Sequence, residues 1–202
     1  MKKIIMLLSK GFNPDVRVYK EAKTLVKKDY DVTIIAWDRL KEYPKKEIIE
    51  GINIERITLK SVFCAPFLNL VMIPLFWLCI LFKLFSRDFD AIHCHDFDTL
   101  PVGVFIGKLR RKKIIYDAHE QYNLMIARSP KMPKFLRPFF IITFDIMEKF
   151  FIRLVDYVIT VNQINIRDKY QQIKNKVIVA NFPESSFFKK YINKKLKDNV
   201  LI

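Results

Sequence analysis

Apolar residues fall in short runs closed by polar turns: Ile4 to Leu8, Val32 to Ala36, Ala91 to Cys94, Lys113 to Tyr116, Tyr157 to Val161 and Val177 to Ala180. Runs this short and this continuous predict strands buried on both faces. Ile52 to Ile57 adds a candidate outer strand. Helical spacing fills several of the gaps. In the first gap Asn13 can cap, Pro14 suits the first helical position, and Val18, Ala22, Leu25 and Val26 recur on one side while Lys20, Lys23, Lys27 and Lys28 take the other. Strand and helix in alternation predict an α/β fold, a parallel sheet with crossover helices.

Two segments depart from that rhythm. Val62 to Phe85 is interrupted only by Pro66, Asn69, Pro74 and Lys83, and its length reaches the membrane-crossing range. Its two prolines and the strand-like continuation Asp90-Ala-Ile-His-Cys favour a helix in the core or embedded in a membrane surface over a span. Phe135 to Leu154 mixes aromatic residues with Lys134, Arg137, Lys149 and Arg153 at its flanks, which suits either a core helix or an anionic membrane surface. After Asn181-Phe182-Pro183 a basic stretch runs from Lys189 to Lys197, and Val200 to Ile202 resembles the start of a further strand. The expected division is one domain over 1–183, with 184–202 a linker and the first residues of a truncated second domain.

Composition narrows the partners. In 202 residues, 51% apolar content with 18 Phe and 8 Tyr supplies one full core and excludes a disordered chain. The net charge of +15 directs attention to phosphates, anionic lipid or nucleic acid, and the excess is largest from Arg128 onward. The basic cluster Lys108 to Lys113 lacks interleaved aromatics, so it reads as a solvated turn and no nucleic-acid partner is expected. Cys64, Cys79 and Cys94 form no CxxC pair, which fits a reducing cytoplasm. The opening Met1-Lys-Lys-Ile-Ile-Met-Leu-Leu imitates a secretion signal but ends without a small-residue cleavage site, so it is read as a strand.

Candidate chemistry lies where strands end. The loop Ser9-Lys10-Gly11-Phe12 has a single glycine, which excludes the GxGxxG and GxxxxGK[ST] fingerprints and leaves a loop that can neighbour a phosphate. In His93-Cys94-His95-Asp96-Phe97-Asp98 the two histidines share a face; they line a crevice or, with His119 or Asp98 as third ligand, hold a metal. Tyr116-Asp117-Ala118-His119-Glu120 places a titratable histidine between acids at a strand end. Gly103 and Gly107 indicate close helix packing more than a membrane dimer. No GxSxG elbow or Cys/His nucleophile pair is present.

Taken in order, Pro14-Asp-Val-Arg-Val-Tyr-Lys-Glu-Ala22, Asp90-Ala-Ile-His-Cys-His-Asp96, Leu100-Pro101, Tyr116-Asp-Ala-His-Glu120 and Asp156-Tyr-Val-Ile-Thr-Val-Asn162 resemble the N-terminal domain of glycosyltransferase family 4, retaining enzymes of GT-B fold. The resemblance implies a Rossmann-like acceptor-side domain of a transferase that moves a sugar from a nucleotide-sugar donor to a lipid-linked or glycan acceptor, docked on an anionic membrane at its cytoplasmic face. It implies His119 as the catalytic contact to the donor sugar, Gly11 at the donor phosphates, and Asp96, Asp98 and Glu120 on the acceptor side. No cofactor and no metal are expected, because basic groups and helix N-termini stabilise the departing diphosphate. The turn Asp29-Tyr30 lacks the glycine common there, and the second domain with its paired-glutamate motif is absent from the sequence, so this chain alone is expected to be inactive. Two alternatives are a non-catalytic partner- or membrane-binding domain and a metal-dependent hydrolase using His93, His95 and His119.

Overall fold

A computed structural model describes residues 1–13, 15–60, 66–119, 122–130, 132–161, 170 and 173–179, with the backbone alone for 66–70. Pro14, Glu120, Asn162, Ala180 and 181–202, including the domain boundary expected at 183, lie outside the described residues.

The strands are β1 (Lys3–Leu8), β2 (Asp31–Trp37), β3 (Lys46–Ile49), β4 (Ile52–Ile57), β5 (Ala91–His95), β6 (Lys113–Ala118), β7 (Tyr157–Thr160) and β8 (Lys176–Ile178). The helices are α1 (Val16–Val26), α2 (Pro66–Phe85), α3 (Leu100–Leu109), α4 (Tyr122–Arg128) and α5 (Arg137–Ile152). One sheet runs in the order β3-β4-β2-β1-β5-β6-β7-β8, parallel throughout except for the β3–β4 pair. This is the α/β sheet with crossover helices that the sequence predicts. The candidate outer strand is β4, lying one place in from the edge because β3 covers it. β3 escaped the sequence pattern: its four residues Lys46-Glu-Ile-Ile alternate between exposed and half-buried positions, as a short, charged edge strand does.

Alternation along each strand makes two cores. Ile5, Leu7, Ile35, Trp37, Ile92, Cys94, Ile114 and Tyr116 face α2, α3 and α5, while Ile4, Met6, Leu8, Val32, Ile34 and Ile54 face α1 through Val18 and Ala22. Asp15, not Asn13, caps α1: its carboxylate accepts from the amides of Arg17 and Val18 at 3.1 and 3.4 Å. Asp29 stands at φ +60° in the turn that ends α1, a conformation that glycine adopts more readily. A Cβ on Gly103 would collide with Cys94 Sγ and one on Gly107 with Ile114, so the GxxxG stripe serves helix-to-sheet packing.

α2 buries Phe76, Ile80 and Leu84, each contributing about 1.5–3 kcal/mol, and Phe76 stacks on Trp37 at 4.9 Å. Its opposite side leaves Val71, Leu75, Leu78, Phe82 and Phe85 exposed. Among the described residues no helix is long and apolar enough to cross a membrane. The basic turn after α3 is partly structural, since Arg110 donates to the α2 carbonyls of Leu84 and Phe85 at 3.2 and 2.6 Å.

Candidate functional site at the carboxyl edge of the sheet

β1 lies between β2 and β5, and the chain builds outward from it first to one side and then to the other. Ligands of such sheets bind at this point of reversal, outside the carboxyl ends of the strands. Gly11 follows β1, Asp96 and Asp98 follow β5, and His119 follows β6. The structure therefore brings four of the five sequence-predicted site residues to one edge. Glu120 lies outside the described residues.

The first loop is held by a residue the motifs did not reveal. Arg56 of β4 is buried and donates to the carbonyls of Gly11 and Phe12 at 2.8 and 2.9 Å, to Pro44 at 2.9 Å, and to Glu47. Phe12 takes φ +49°, and the Tyr43 ring lies 3.3 Å from where a Gly11 side chain would begin. Gly11 thus allows a close approach. The loop borders a pocket of about 310 Å³ lined also by Lys10, Asp38 and Arg39. Larger hollows of about 570 and 490 Å³ lie at the amino ends of β1 and β7, away from the edge where parallel sheets place their chemistry.

Asp96 has φ 63° and ψ 167°, a region almost confined to glycine and costing about 1–3 kcal/mol. The surroundings enforce it: its amide donates to the Asp117 carbonyl at 3.1 Å, and Thr99 Oγ1 donates to the carbonyls of His95 and Asp96 at 2.8 and 3.2 Å. Asp98, two residues on, accepts from Ser9 Oγ at 3.1 Å, and the Asp98 carbonyl accepts from Trp77 Nε1 at 2.7 Å. Burial raises the Asp98 carboxyl above its ordinary range despite the Ser9 hydrogen bond and the Arg39 charge. Asp98 therefore ties the β5 turn to the first loop. Phe97 between them packs on Phe144 and Tyr122 at 4.3 and 6.2 Å, which seats α4 and α5 beside the edge.

Beneath α1 the apolar core gives way to charge. His93 and His95 do share a face, with ring centroids 4.3 Å apart, and they meet Arg17 and Glu21 from α1 and Asp117 from β6. Arg17 Nη1 stands 2.9 Å from Asp117 Oδ2, and Nη2 stands 3.9 Å from Asp96. His95 Nδ1 meets Asp117 Oδ2 at 3.1 Å, and His93 Nε2 faces Glu21 Oε2 at 3.8 Å. Burial, then the neighbouring Asp117 charge, pushes the Glu21 carboxyl up to about 8, while burial and His95 hold His93 down to about 3. Burial opposes ionisation of Asp117 too, but the hydrogen bond and charge of His95 and the charge of Arg17 outweigh it and keep that carboxyl low.

The group able to hold an ion among the described residues is Glu21, His93, His95 and Asp117. Neither His119 nor Asp98, the third ligands considered from sequence, belongs to it. His119 is half-buried one residue beyond β6, a strand flanked on both sides by others. Arg17, Glu21 and Asp117 went unrecognised as a cluster. The available signal was that Arg17 and Glu21 sit four apart directly beside the apolar stripe of Val18 and Ala22, where a purely solvated charge is out of place.

The comparisons agree with this fold. No curated protein matches the chain. Sucrose-phosphate synthase from Thermosynechococcus elongatus superposes with a TM-score of 0.65 at 13% identity, covering 95% of this chain and 53% of that one. Apo UGT2 of Phytolacca americana gives 0.65 at 9% identity, covering 96% and 55%. Anabaena HepE, in complex with UDP and glucose, gives 0.57 at 14% identity, covering 93% and 46%. The chain spans about half the length of these structures, and its architecture is that of a GT-B domain. The profile of Glycosyltransferase Family 4 matches residues 15–178, and the chain belongs to that family.

Proposed function

We propose that the chain is the acceptor-side half of a two-domain enzyme that transfers a sugar from a nucleotide-sugar donor to a lipid-linked or glycan acceptor. The observation that carries this is the convergence of Gly11, Asp96, Asp98 and His119 on the carboxyl edge at the point of strand reversal. The first loop faces the donor diphosphate, which leaves as negative charge develops on it; backbone amides of that loop and Lys10 stabilise the charge without a metal. HepE was solved with UDP and glucose, which makes uridine diphosphate sugars the first donors to try. His119 contacts the donor sugar and steadies the ring as positive charge grows at its anomeric carbon. Asp96 and Asp98 form a fixed turn on the acceptor side, and Glu120 is a further acceptor-side contact.

The acceptor is reached from a membrane. Phe135, Phe139, Ile142, Ile146 and Phe150 are all exposed and recur at helical spacing along and just before α5, and Val71, Leu75, Leu78, Phe82 and Phe85 do so on α2. With Lys134 and Arg153 at the ends of the α5 stripe and a charge of +15, these faces suit the anionic cytoplasmic leaflet.

The test is His119→Ala in the two-domain enzyme. It lowers kcat by about 100-fold or more, the scale of one positioned catalytic group, while thermal unfolding stays near the parent's. Near-normal kcat in the folded variant removes His119 from the reaction.

A further inference from the structure

The cluster beneath α1 takes no part in the chemistry proposed above, yet its composition is that of a cation site. Glu21, His93, His95 and Asp117 each offer a ligand atom, and these atoms lie within 4.8 Å of one another. Around an ion with bonds of about 2.0–2.2 Å, ligand atoms stand roughly 3.0–4.4 Å apart. The 3.8 Å separation of His93 Nε2 and Glu21 Oε2 already falls in that range, and His95 Nδ1 and Asp117 Oδ2, hydrogen-bonded at 3.1 Å, stand close enough to share an ion in place of that bond.

A second, independent observation points to a ligand. His93 and His95 are 3% and 0% exposed, and among the described residues Nε2 of each has no hydrogen-bond partner; nor do Asp117 Oδ1 and both Glu21 carboxylate oxygens. Native interiors rarely leave so many polar atoms unpaired at one place. Two imidazoles with two carboxylates suit zinc better than calcium or magnesium, which prefer oxygen alone.

We propose that Glu21, His93, His95 and Asp117 bind one divalent transition-metal ion, zinc by donor type, as a structural clamp joining α1 to β5 and β6. Held there, the ion fixes α1 at its middle turn, and with it the wall of the crevice, without touching either substrate. Sugar transfer and ion binding are separate properties, and each can fail alone.

The 202-residue protein is stripped with EDTA, titrated with zinc chloride by calorimetry, and its bound zinc is measured by mass spectrometry. The expected result is one zinc per chain and a Tm raised by about 5 °C or more. His93→Ala and Glu21→Gln each weaken binding by about 100-fold or more, whereas His119→Ala retains it. Glu21→Gln is isosteric and reaches the less buried end of the cluster, so it keeps the test valid where His93→Ala fails to fold. A folded parent that takes up no zinc and shows no shift in Tm overturns the proposal, as does uptake unchanged in Glu21→Gln.

Discussion

Arg17 shows how much of the carboxyl edge hangs on single residues. Its guanidinium is buried between Asp117 and Asp96, at 2.9 and 3.9 Å, so removing it strands two carboxylates away from water. Arg17→Ala is expected to destabilise the fold by about 3–5 kcal/mol in urea unfolding, and a loss no larger than that of an exposed arginine contradicts the ion-pair account. Asp29 carries the opposite expectation. It holds φ +60° at the end of α1, where its Cβ is strained, so Asp29→Gly should stabilise by about 0.5–1 kcal/mol; a lower Tm shows that the side chain has a role of its own. At this scale the sequence was partly legible. The common face of His93 and His95 follows from the two-residue period of a strand. The burial of Arg17 and Glu21 does not follow from their helix, since only the packing of α1 against β5 and β6 decides which flank of its apolar stripe is covered.

Among elements, buried strands declared themselves because continuous apolar runs have few other uses, and β1, β2, β5, β6 and β7 lie where those runs are. β3 did not, since an edge strand of four residues with Lys46 and Glu47 resembles a polar turn. α2 was ambiguous for a physical reason: it is apolar all round, with one side buried in the core and the other bare. That bare side and the exposed stripe of α5 belong to helices packed on the same face of the sheet, so they can meet one membrane surface together. Flotation with anionic liposomes at low salt is expected to carry the protein upward, and Phe139→Asp with Phe82→Asp to leave it at the bottom. Protein that stays down with anionic vesicles contradicts surface docking, and protein released only by detergent contradicts a peripheral attachment.

For the whole molecule, the decisive feature is the order of the strands, which places the Gly11 loop beside the Asp96 turn although they are far apart in sequence. Strand order is set by non-local pairing, so the periodicities that revealed the strands were silent on it; the family resemblance pointed to it. The proposed function makes the crevice at this edge one wall of a cleft; the chain spans about half the length of the structures it matches. On the proposed function this wall catalyses only opposite a second domain. It is tested most directly by offering labelled nucleotide sugars and membrane acceptors to the 202-residue protein and to a version extended by a second domain. The extended enzyme is expected to transfer sugar at about 1 per second or faster and the shorter chain not at all. Comparable turnover by the 202-residue protein alone, or a folded two-domain enzyme that binds no nucleotide sugar, would contradict it.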